Sequence, residues 1–394
     1  MNPVSEVSSS LRKLYQWLSR TPWESFDPYD YGGSSLARSL LTIPNLALLL
    51  HRSLLLFPRS ARILLGIRPM GTASGYAYLL SGFSLLGGTP NYPDAAINAR
   101  RAYERLMSFR LPGGAWGLPF DWLSSGSVRI PKNVTLSYTA YTGLEALLHY
   151  YGLCGSDEII LQALDIARMT VRELKQIPTE HGAILTYSRQ DEHEVINTNS
   201  LLGSMFCRLG VIANDEGLLS LGHDMLSFVR SEQNPDGSWN YFSRRRSRAP
   251  RIDNYHTAMT LRGILEGAIC TKDAEAWSPA IRKGMGFYAR TFMDPLYRLS
   301  VWPGRSYPKD IACLAEGILL YETVMRYFPL SPGDADEQLR ALYKWGIRLM
   351  QNTDGSFFYR KYPIFSVDLR SIRWGQGMML MALATSFKRL CRDR

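Results

Sequence analysis

Two distant segments of the chain are near copies of each other: QNPDGSW at 233–239 and QNTDGSF at 351–357. Three further loops of glycine and aromatic residues fall at similar intervals: GGAWGLPFDW (113–122), HGAILTYSRQ (181–190) and LSVWPGRSYP (299–308). Recurrence at a period of this kind is the sequence signature of a repeat architecture. We therefore predict a chain built from repeated units.

Two helical patterns lie between consecutive loops. The first pattern follows one loop, and the second precedes the next loop. The first patterns begin near Thr135, Asn197, Asp253, Asp310 and Ser371. The second patterns cover about 157–177, 215–231, 273–292, 334–351 and, for the earliest pair, 93–109. Their apolar residues follow the i, i+3, i+4 spacing of amphipathic helices. Strand-like alternation is confined to the loops.

An additional N-terminal pair, with its first helix at 36–57 or 72–86, would bring the total to six. We predict an all-α (α/α)6 barrel, or toroid, with first helices inside, second helices outside and short β-hairpin-like loops on one rim. The whole chain, 1–394, is expected to be one domain. Residues 1–70 pack on the barrel or complete it, and 71–394 supply the repeated hairpins.

Composition narrows the possible partners. A formal charge of +10 favours an anionic partner, which can be an acidic glycan, a nucleic acid or a membrane surface. The longest apolar stretch, 39–57, contains Pro44, Asn45, His51 and Arg52 and is too polar for a membrane span. It is better interpreted as a buried or partner-facing helix, with contact to a membrane surface as the alternative.

Other common site types find no support in the sequence. The five cysteines are scattered and never in CxxC spacing, which argues against a disulfide framework and a zinc site. Nucleotide-binding glycine motifs are absent. The N-terminus lacks the order of residues of a secretory signal. We expect no metal, no cofactor and a cytoplasmic protein, with attachment to the periphery of the inner membrane as the alternative.

Because the loops all precede first-helix N-termini, their polar and aromatic residues should converge on one rim. The candidate binding residues at helix starts are Tyr138, Asn197, Asn199, Asp310, Arg373, Trp374 and Gln376. The candidate stacking residues are Trp116, Trp122, Trp239, Trp302 and Tyr359 in the loops, together with Trp374. Such a mixture suits a sugar, whose rings stack on aromatic faces and whose hydroxyls need donors and acceptors. The alternative is that Asp and Asn are helix caps and that the loop aromatics only plug the hairpins onto the barrel.

The segment IDNYHT (252–257) is the richest in chemistry, because Asp253, Tyr255 and His256 lie within one helical turn. With Asp121 they form the candidate catalytic set. Histidine and tyrosine can abstract and return a proton, whereas a carboxylate pair would serve glycoside hydrolysis, and both remain open. Arg373 can clamp a uronate carboxylate. The alternative is a buried ion pair with Asp253 or Asp310.

Two family resemblances follow from these motifs. QNPDGSWNY (233–241) resembles the repeat of squalene and terpene cyclases, but their DxDD motif is absent. A second resemblance covers most of the chain and is to (α/α) toroid proteins of bacterial exopolysaccharide and capsule biosynthesis clusters, within the wider six-hairpin glycosidase and polysaccharide lyase superfamily. The motifs that carry it are DPYD (27–30), RILLGI (62–67), PFDW (119–122), QNPDGSW (233–239), IDNYHT (252–257), PKD (308–310) and RWGQGMM (373–379).

The second resemblance implies a cytoplasmic protein of surface-glycan biosynthesis. The positions that match the family's motifs are Asp121, Asp253, His256, Asp310 and Arg373. Gly377 and Cys313 depart from that pattern, which expects an alanine and a histidine or other polar residue.

The leading hypothesis is an enzyme that modifies an acidic or nascent polysaccharide by hydrolysis, β-elimination or epimerisation. A non-catalytic glycan-binding or scaffold subunit of a polysaccharide assembly complex is the alternative, and a terpene cyclase is a third. The expected partners are an acidic oligo- or polysaccharide, with other assembly proteins or the inner membrane surface as further possibilities, and no nucleic acid.

Overall fold

The computed structural model describes residues 3–40, 44–123, 129–247, 249–271, 274–294, 296, 298–327 and 332–392. The helices are α1 (Pro3–Ser19), α2 (Ser35–Leu40), α3 (Pro44–Leu56), α4 (Ser60–Leu64), α5 (Ala73–Leu86), α6 (Ala95–Ser108), α7 (Ser137–Cys154), α8 (Asp157–Glu173), α9 (Ile196–Ala213), α10 (Glu216–Ser231), α11 (Asn254–Cys270), α12 (Ala274–Phe292), α13 (Ile311–Tyr327), α14 (Pro332–Ala341), α15 (Arg348–Met350) and α16 (Gly377–Arg392). The strands are β1 (Trp122–Leu123), β2 (Arg129–Ile130), β3 (Gln176–Thr179), β4 (Gly182–Leu185), β5 (Lys309–Asp310), β6 (Arg360–Lys361) and β7 (Ser366–Val367).

Six helices form a closed inner ring. Each of α5, α7, α9, α11 and α13 packs against the next, α13 packs against α16, and α16 returns to α5. The outer partners are α6, α8, α10, α12 and the α14–α15 segment, which lie on α5, α7, α9, α11 and α13 in turn. Among the described residues these outer helices do not form a continuous ring of contacts with one another. The sixth outer helix is α1, which packs on α16. The predicted (α/α)6 barrel is confirmed, and of the two options for the added inner helix the structure has the one at 72–86.

Burial distinguishes the two rings. Inner helices are buried around almost their whole circumference, as the unbroken buried run from Ala73 to Ser84 in α5 shows. Outer helices bury one face only, which in α8 includes Ile159, Ala163 and Ile166. A side chain at Gly263 of α11 would come within about 2.4 Å of Ser200 in α9, so glycine allows these inner helices to approach closely.

The same backbone hydrogen bond attaches successive loops to the inner-helix starts. Backbone N–H groups at inner-helix starts donate to carbonyls in the loop of the following repeat, at 2.9–3.1 Å. The donor and acceptor residues are Ser137 to Tyr187, Ile196 to Tyr241, Asn254 to Val301 and Ile311 to Tyr359. Each bond satisfies a helix N-terminal donor and holds the acceptor's side chain over the opening of the inner ring.

The N-terminal segment contributes in two ways. Besides α1, helices α2–α4 lie outside the two rings and bury a small apolar cluster of their own. No helix among the described residues is long and apolar enough to cross a membrane.

Candidate functional site

The N-terminal ends of the inner helices surround a pocket with a cavity volume of about 220 Å³ that is partly open to solvent. Its lining from the helix starts is Tyr138, Asn197, Thr198, Asp253, Tyr255, His256, Met259, Asp310, Ala312, Cys313, Arg373 and Trp374. Its lining from the loops is Tyr29, Leu118, Trp122, Tyr187, Tyr241, Arg251, Val301, Trp302, Tyr359 and Arg360. The pocket is therefore strongly aromatic, with charged groups on several sides.

His256 and Asp253 form a hydrogen-bonded dyad in this pocket. Asp253 caps α11 by accepting from the His256 amide, and its carboxylate also lies 2.7 and 2.9 Å from Nδ1 of the same residue. Burial would raise the pKa of Asp253, but the charge of His256 and its hydrogen bonds outweigh burial and lower it. An ionised carboxylate only accepts, so Nδ1 carries a proton, and in the neutral tautomer of the ring Nε2 is then the acceptor. The arrangement makes Nε2 available as a base.

The His256 ring is held in place by aromatic neighbours. Its centroid lies 4.6 Å from that of Tyr241 and 5.2 Å from that of Tyr255, both in edge-on geometry. Its side chain is still 25% exposed. His256 is thus fixed by contacts on two sides and open toward the pocket.

Three tyrosine hydroxyls form a row of hydrogen bonds that runs from the pocket into the interior of the barrel. The Tyr255 hydroxyl is 2.8 Å from that of Tyr138, which in turn hydrogen-bonds to Tyr78. Burial first, and the neighbouring Tyr138 and Tyr78 next, raise the pKa of Tyr255 well above its ordinary value. Tyr255 therefore stays protonated and can donate to a developing negative charge, but it is a poor base.

Arg373 pairs with a carboxylate of the protein itself. Its Nε and Nη2 donate to the two carboxylate oxygens of Asp27 at 2.6 and 2.7 Å. The ion-pair alternative is the correct one, but the partner is Asp27, not Asp253 or Asp310. Nη1 makes no hydrogen bond with the described residues, so one edge of the guanidinium is still available to the pocket.

Asp310 is also held by the protein. Its Oδ1 accepts from the Ala312 amide at the start of α13, and its Oδ2 accepts from Arg360 Nε at 2.5 Å. Asp310 thus acts as a helix cap and as the counter-ion of Arg360, although it lines the pocket.

Other polar atoms of the pocket have no protein partner among the described residues. These include the buried Oδ1 of Asn197 and Nε1 of Trp374. The Arg251 guanidinium lies 4.8 Å from the Tyr241 ring centroid and forms no ion pair within the described part of the chain. Buried polar groups normally have partners, so these atoms are available to hydrogen-bond with a molecule in the pocket, water included.

The predicted residues that the structure brings into the pocket are His256, Tyr255, Asp253, Arg373, Trp374, Asp310, Asn197, Tyr138, Trp122 and Trp302. Trp116 and Trp239 are corrected to core plugs, because they are almost fully buried. Their indole N–H groups donate to the carbonyls of Leu106 and Val229, at 2.9 and 2.8 Å. They fix the loops onto the outer helices and cannot stack on a sugar.

Asn199, Gln376 and Asp121 are likewise outside the pocket. The amides of Asn199 and Gln376 each bond both the N–H and the C=O of one loop residue, Leu185 and Phe357 respectively. Asp121 accepts from Arg129 and from the Lys132 amide in the β1–β2 hairpin. These three side chains hold loop backbone in place.

Sequence reasoning missed several lining residues. They are Tyr29, Leu118, Tyr187, Thr198, Tyr241, Arg251, Met259, Val301, Ala312 and Arg360. Four of these ten, together with the predicted stacking residue Tyr359, follow one rule, because the plug of each repeat is buried and the side chain two residues later enters the pocket. The pairs are Trp116 and Leu118, Leu185 and Tyr187, Trp239 and Tyr241, Leu299 and Val301, and Phe357 and Tyr359.

Within the described part of the chain, no group of three or more His, Cys, Asp and Glu side chains is placed to hold a metal ion. Cys313 lines the pocket, where burial raises the pKa of its thiol well above the ordinary value. The thiol is therefore a weak nucleophile. The chemistry available to the site comes from His256, tyrosine hydroxyls and guanidinium groups.

Comparison with solved structures places the fold among sugar-acting proteins. A sugar epimerase from a ruminal bacterium is similar (TM-score 0.62, 13% identity, 82% of this chain and 90% of that chain). So is cellobiose 2-epimerase from Bacillus thermoamylovorans (0.65, 11%, 81% and 88%). Unsaturated glucuronyl hydrolase from Streptococcus agalactiae matches over 97% of this chain and 90% of its own (0.59, 13%). The chain has the fold of these (α/α)6 toroids. No family model and no curated protein sequence matches it.

Proposed function

We propose that the protein is a carbohydrate-active enzyme that moves a proton at a sugar carbon next to a carbonyl or carboxyl group. The observation that carries the proposal is the Asp253–His256 dyad, which leaves Nε2 as a base in an aromatic pocket. Epimerisation and β-elimination both begin with such a proton abstraction. The sugar-epimerase neighbours support this class, although at their low identity they share only the fold.

The residues can divide the step as follows. His256 Nε2 takes the proton from carbon, and Asp253 stabilises the imidazolium through Nδ1–H. The electron pair of the broken C–H bond forms a double bond to the neighbouring carbonyl or carboxyl carbon, and the C=O π pair moves onto its oxygen, where Tyr255 O–H and Arg373 Nη1 are available donors. Return of a proton to the opposite face of the carbon completes an epimerisation. In an elimination the electron pair instead expels the oxygen on the next carbon, which leaves as a hydroxyl group after taking up a proton.

Hydrolysis by a carboxylate pair has weaker support. It needs one carboxyl group that stays protonated to act as general acid. The pKa of Asp253 is lowered, and Asp310 is bound to Arg360. A terpene cyclase would need an apolar cavity, which does not suit this charged pocket.

Exchange with deuterium oxide tests the reaction class. Epimerisation of reducing disaccharides or of uronate-containing oligosaccharides should place one deuterium on carbon with chain length retained, detected by mass spectrometry and NMR. Elimination should instead give an unsaturated cleaved product, with the abstracted proton lost and no deuterium gained on carbon. Cleavage with oxygen from labelled water and no deuterium on carbon would instead establish hydrolysis. Glycan binding with no turnover would favour the non-catalytic subunit.

We further propose that the substrate is acidic, as the glucuronyl group in one neighbour's name also suggests. Arg251 supports this, because it lines the pocket and forms no salt bridge with a described residue, so its charge, which also acts on Asp253, is available to a ligand. Arg251→Met keeps the length of the side chain and removes its charge. We expect it to weaken binding of a uronate-containing oligosaccharide by about tenfold and to reduce its salt dependence.

Calorimetric titration at low and high salt measures this effect. Arg100→Met is the matched control, since Arg100 lies on the exposed face of α6 with 76% of its side chain accessible. Equal losses for a neutral oligosaccharide and for the uronate would contradict the assignment. A role in bacterial surface-polysaccharide biosynthesis, in the cytoplasm, is the context that the motif resemblance favours.

A further inference from the structure

Helices α3 and α4 expose a concentrated set of large apolar side chains. We call the set formed by Leu49, Leu56, Phe57, Ile63 and Leu64 the apolar patch. These residues are between 55% and 82% exposed. Leu56 is the last residue of α3 and Phe57 follows it, and the Ala61 amide donates to the Phe57 carbonyl, so the end of α3 is joined directly to α4, which carries Ile63 and Leu64. Soluble proteins expose single apolar residues freely but seldom such clusters.

The helices that carry the apolar patch are held in place by buried contacts. The opposite face of α3 buries Leu50 and Leu54 in the small cluster with Tyr31, Ala37 and Ile67. Arg62 is buried and joins the parts together, donating to the carbonyls of Leu54 and Pro58. The inner face of α3 thus has its own core, and the patch is what remains outside.

Charge around the patch has one sign. Residues 31–93 contain no Asp or Glu. Arg52, Arg59 and Arg68 are exposed on or beside the same two helices. Apolar side chains flanked by arginines, without acidic residues, are the combination that binds anionic lipid surfaces.

We infer that α3 and α4 dock on an anionic bilayer, with the apolar patch entering the headgroup boundary and the three arginines contacting lipid phosphates. A second copy of the chain is a poorer occupant, because symmetric pairing would bring the arginines of both copies together with no carboxylate in 31–93 to offset them.

The docking surface is connected to the rim of the pocket. Arg62 Nε pairs with Asp30 at 2.9 Å, and its Nη2 donates to the carbonyl of Asp27, the residue that binds Arg373. On the same side, Arg38 lies 3.6 Å from Asp121, which precedes Trp122. Docking would therefore bring the pocket near the lipid surface, where a membrane-carried glycan is accessible. This consequence rests on the proposed function, whereas docking itself does not.

Vesicle sedimentation without any glycan tests the inference. The full chain should bind vesicles of phosphatidylcholine with phosphatidylglycerol, and should bind phosphatidylcholine alone far more weakly. Phe57→Ser/Ile63→Ser/Leu64→Ser should lower the partition coefficient by about a hundredfold or more. Arg52→Gln/Arg59→Gln/Arg68→Gln should lower it by about a hundredfold and remove its salt dependence.

The control is Ile97→Ser/Leu161→Ser, which changes two isolated apolar residues of comparable exposure on α6 and α8. It should bind vesicles like the unchanged chain. All variants replace exposed side chains, and circular dichroism checks their folding. The inference is overturned if the unchanged chain ignores anionic vesicles, or if the control loses binding equally. Dimerisation abolished by the apolar triple variant, without vesicle binding, would replace it with a self-association surface.

Discussion

Replacing His256 with alanine should lower kcat by on the order of 10² to 10⁴, while glycan affinity stays within several-fold. The reason is that Nε2 is the base of the proposed step, while most contact area in the pocket comes from aromatic and arginine side chains. Steady-state rates on the substrate found by deuterium exchange measure the loss. Folding should be retained, since the side chain is part exposed and its Asp253 cap remains.

Two further variants separate catalysis from structure. His256→Asn keeps hydrogen bonding without a titrating nitrogen, so its rate should resemble that of His256→Ala. Asp253→Asn keeps a good helix cap but removes the charge that stabilises the imidazolium, and it should cost about 10- to 100-fold. His193→Asn is the control, because His193 also lies beside an aspartate, Asp191, but outside the pocket. Near-normal turnover by His256→Asn would rule out His256 as the base.

Much of the barrel could be predicted because its repeats are written in local patterns. The second helices were expected at 157–177, 215–231 and 273–292, and they occur at 157–173, 216–231 and 274–292. The way in which the ring closes could not be predicted from the sequence. The outer partner of α16 is α1, at the other end of the chain, and no local period reveals a contact between the two ends.

The site was predicted only in part, for a reason visible in one loop. Trp239 and Tyr241 are both aromatic and only two residues apart, yet Trp239 enters the core and Tyr241 the pocket. Because both residues are aromatic, composition cannot show which of them lines the pocket. The stacking role was predicted for Trp239 because it occupies the repeated position. The large hydrophobic plug at the equivalent position of each loop is instead the better signal, because it locates the lining residue two positions later.

Polar residues at helix starts presented the same difficulty. Asn197 and Asn199 lie two residues apart on α9, where one turns to the pocket and the other clamps Leu185. The ion pair of Arg373 with Asp27 joins residues at opposite ends of the chain, so spacing alone could not assign it.

Removing Arg262 should be the most destabilising single change in the barrel. It lies on α11 about 12 Å below the helix start, given a rise of ~1.5 Å per residue. The guanidinium donates to Glu316 at 2.6 Å and to Glu145 at 2.8 Å, with Glu266 at 3.3 Å. Arg262→Ala leaves three acidic side chains at the centre of the ring, and should cost about 3–5 kcal/mol in the free energy of unfolding.

Chemical denaturation measures this cost, and Arg340→Ala is the matched control. Arg340 forms an exposed pair with Asp336 one helical turn away, so its loss should cost under about 1 kcal/mol. Neutralising the cluster as Arg262→Leu/Glu145→Gln/Glu316→Gln should recover much of the stability. Equal costs for the two arginine variants would refute the network as a structural element.

The pH dependence of the Arg262→Ala deficit has a definite sign. Burial raises the pKa of Glu316 and of Glu266 above the ordinary value even though Arg262 opposes it. Without the arginine both rise further, so the folded variant holds protons that the unfolded chain releases. A raised folded-state pKa gives stability that is present at low pH and lost as pH rises through that pKa. The deficit relative to the unchanged protein should therefore shrink from about pH 8 to about pH 5.5. A deficit that stays constant on acidification would show that the carboxylates keep their charge by other contacts, such as Arg208, which lies 3.9 Å from Glu266.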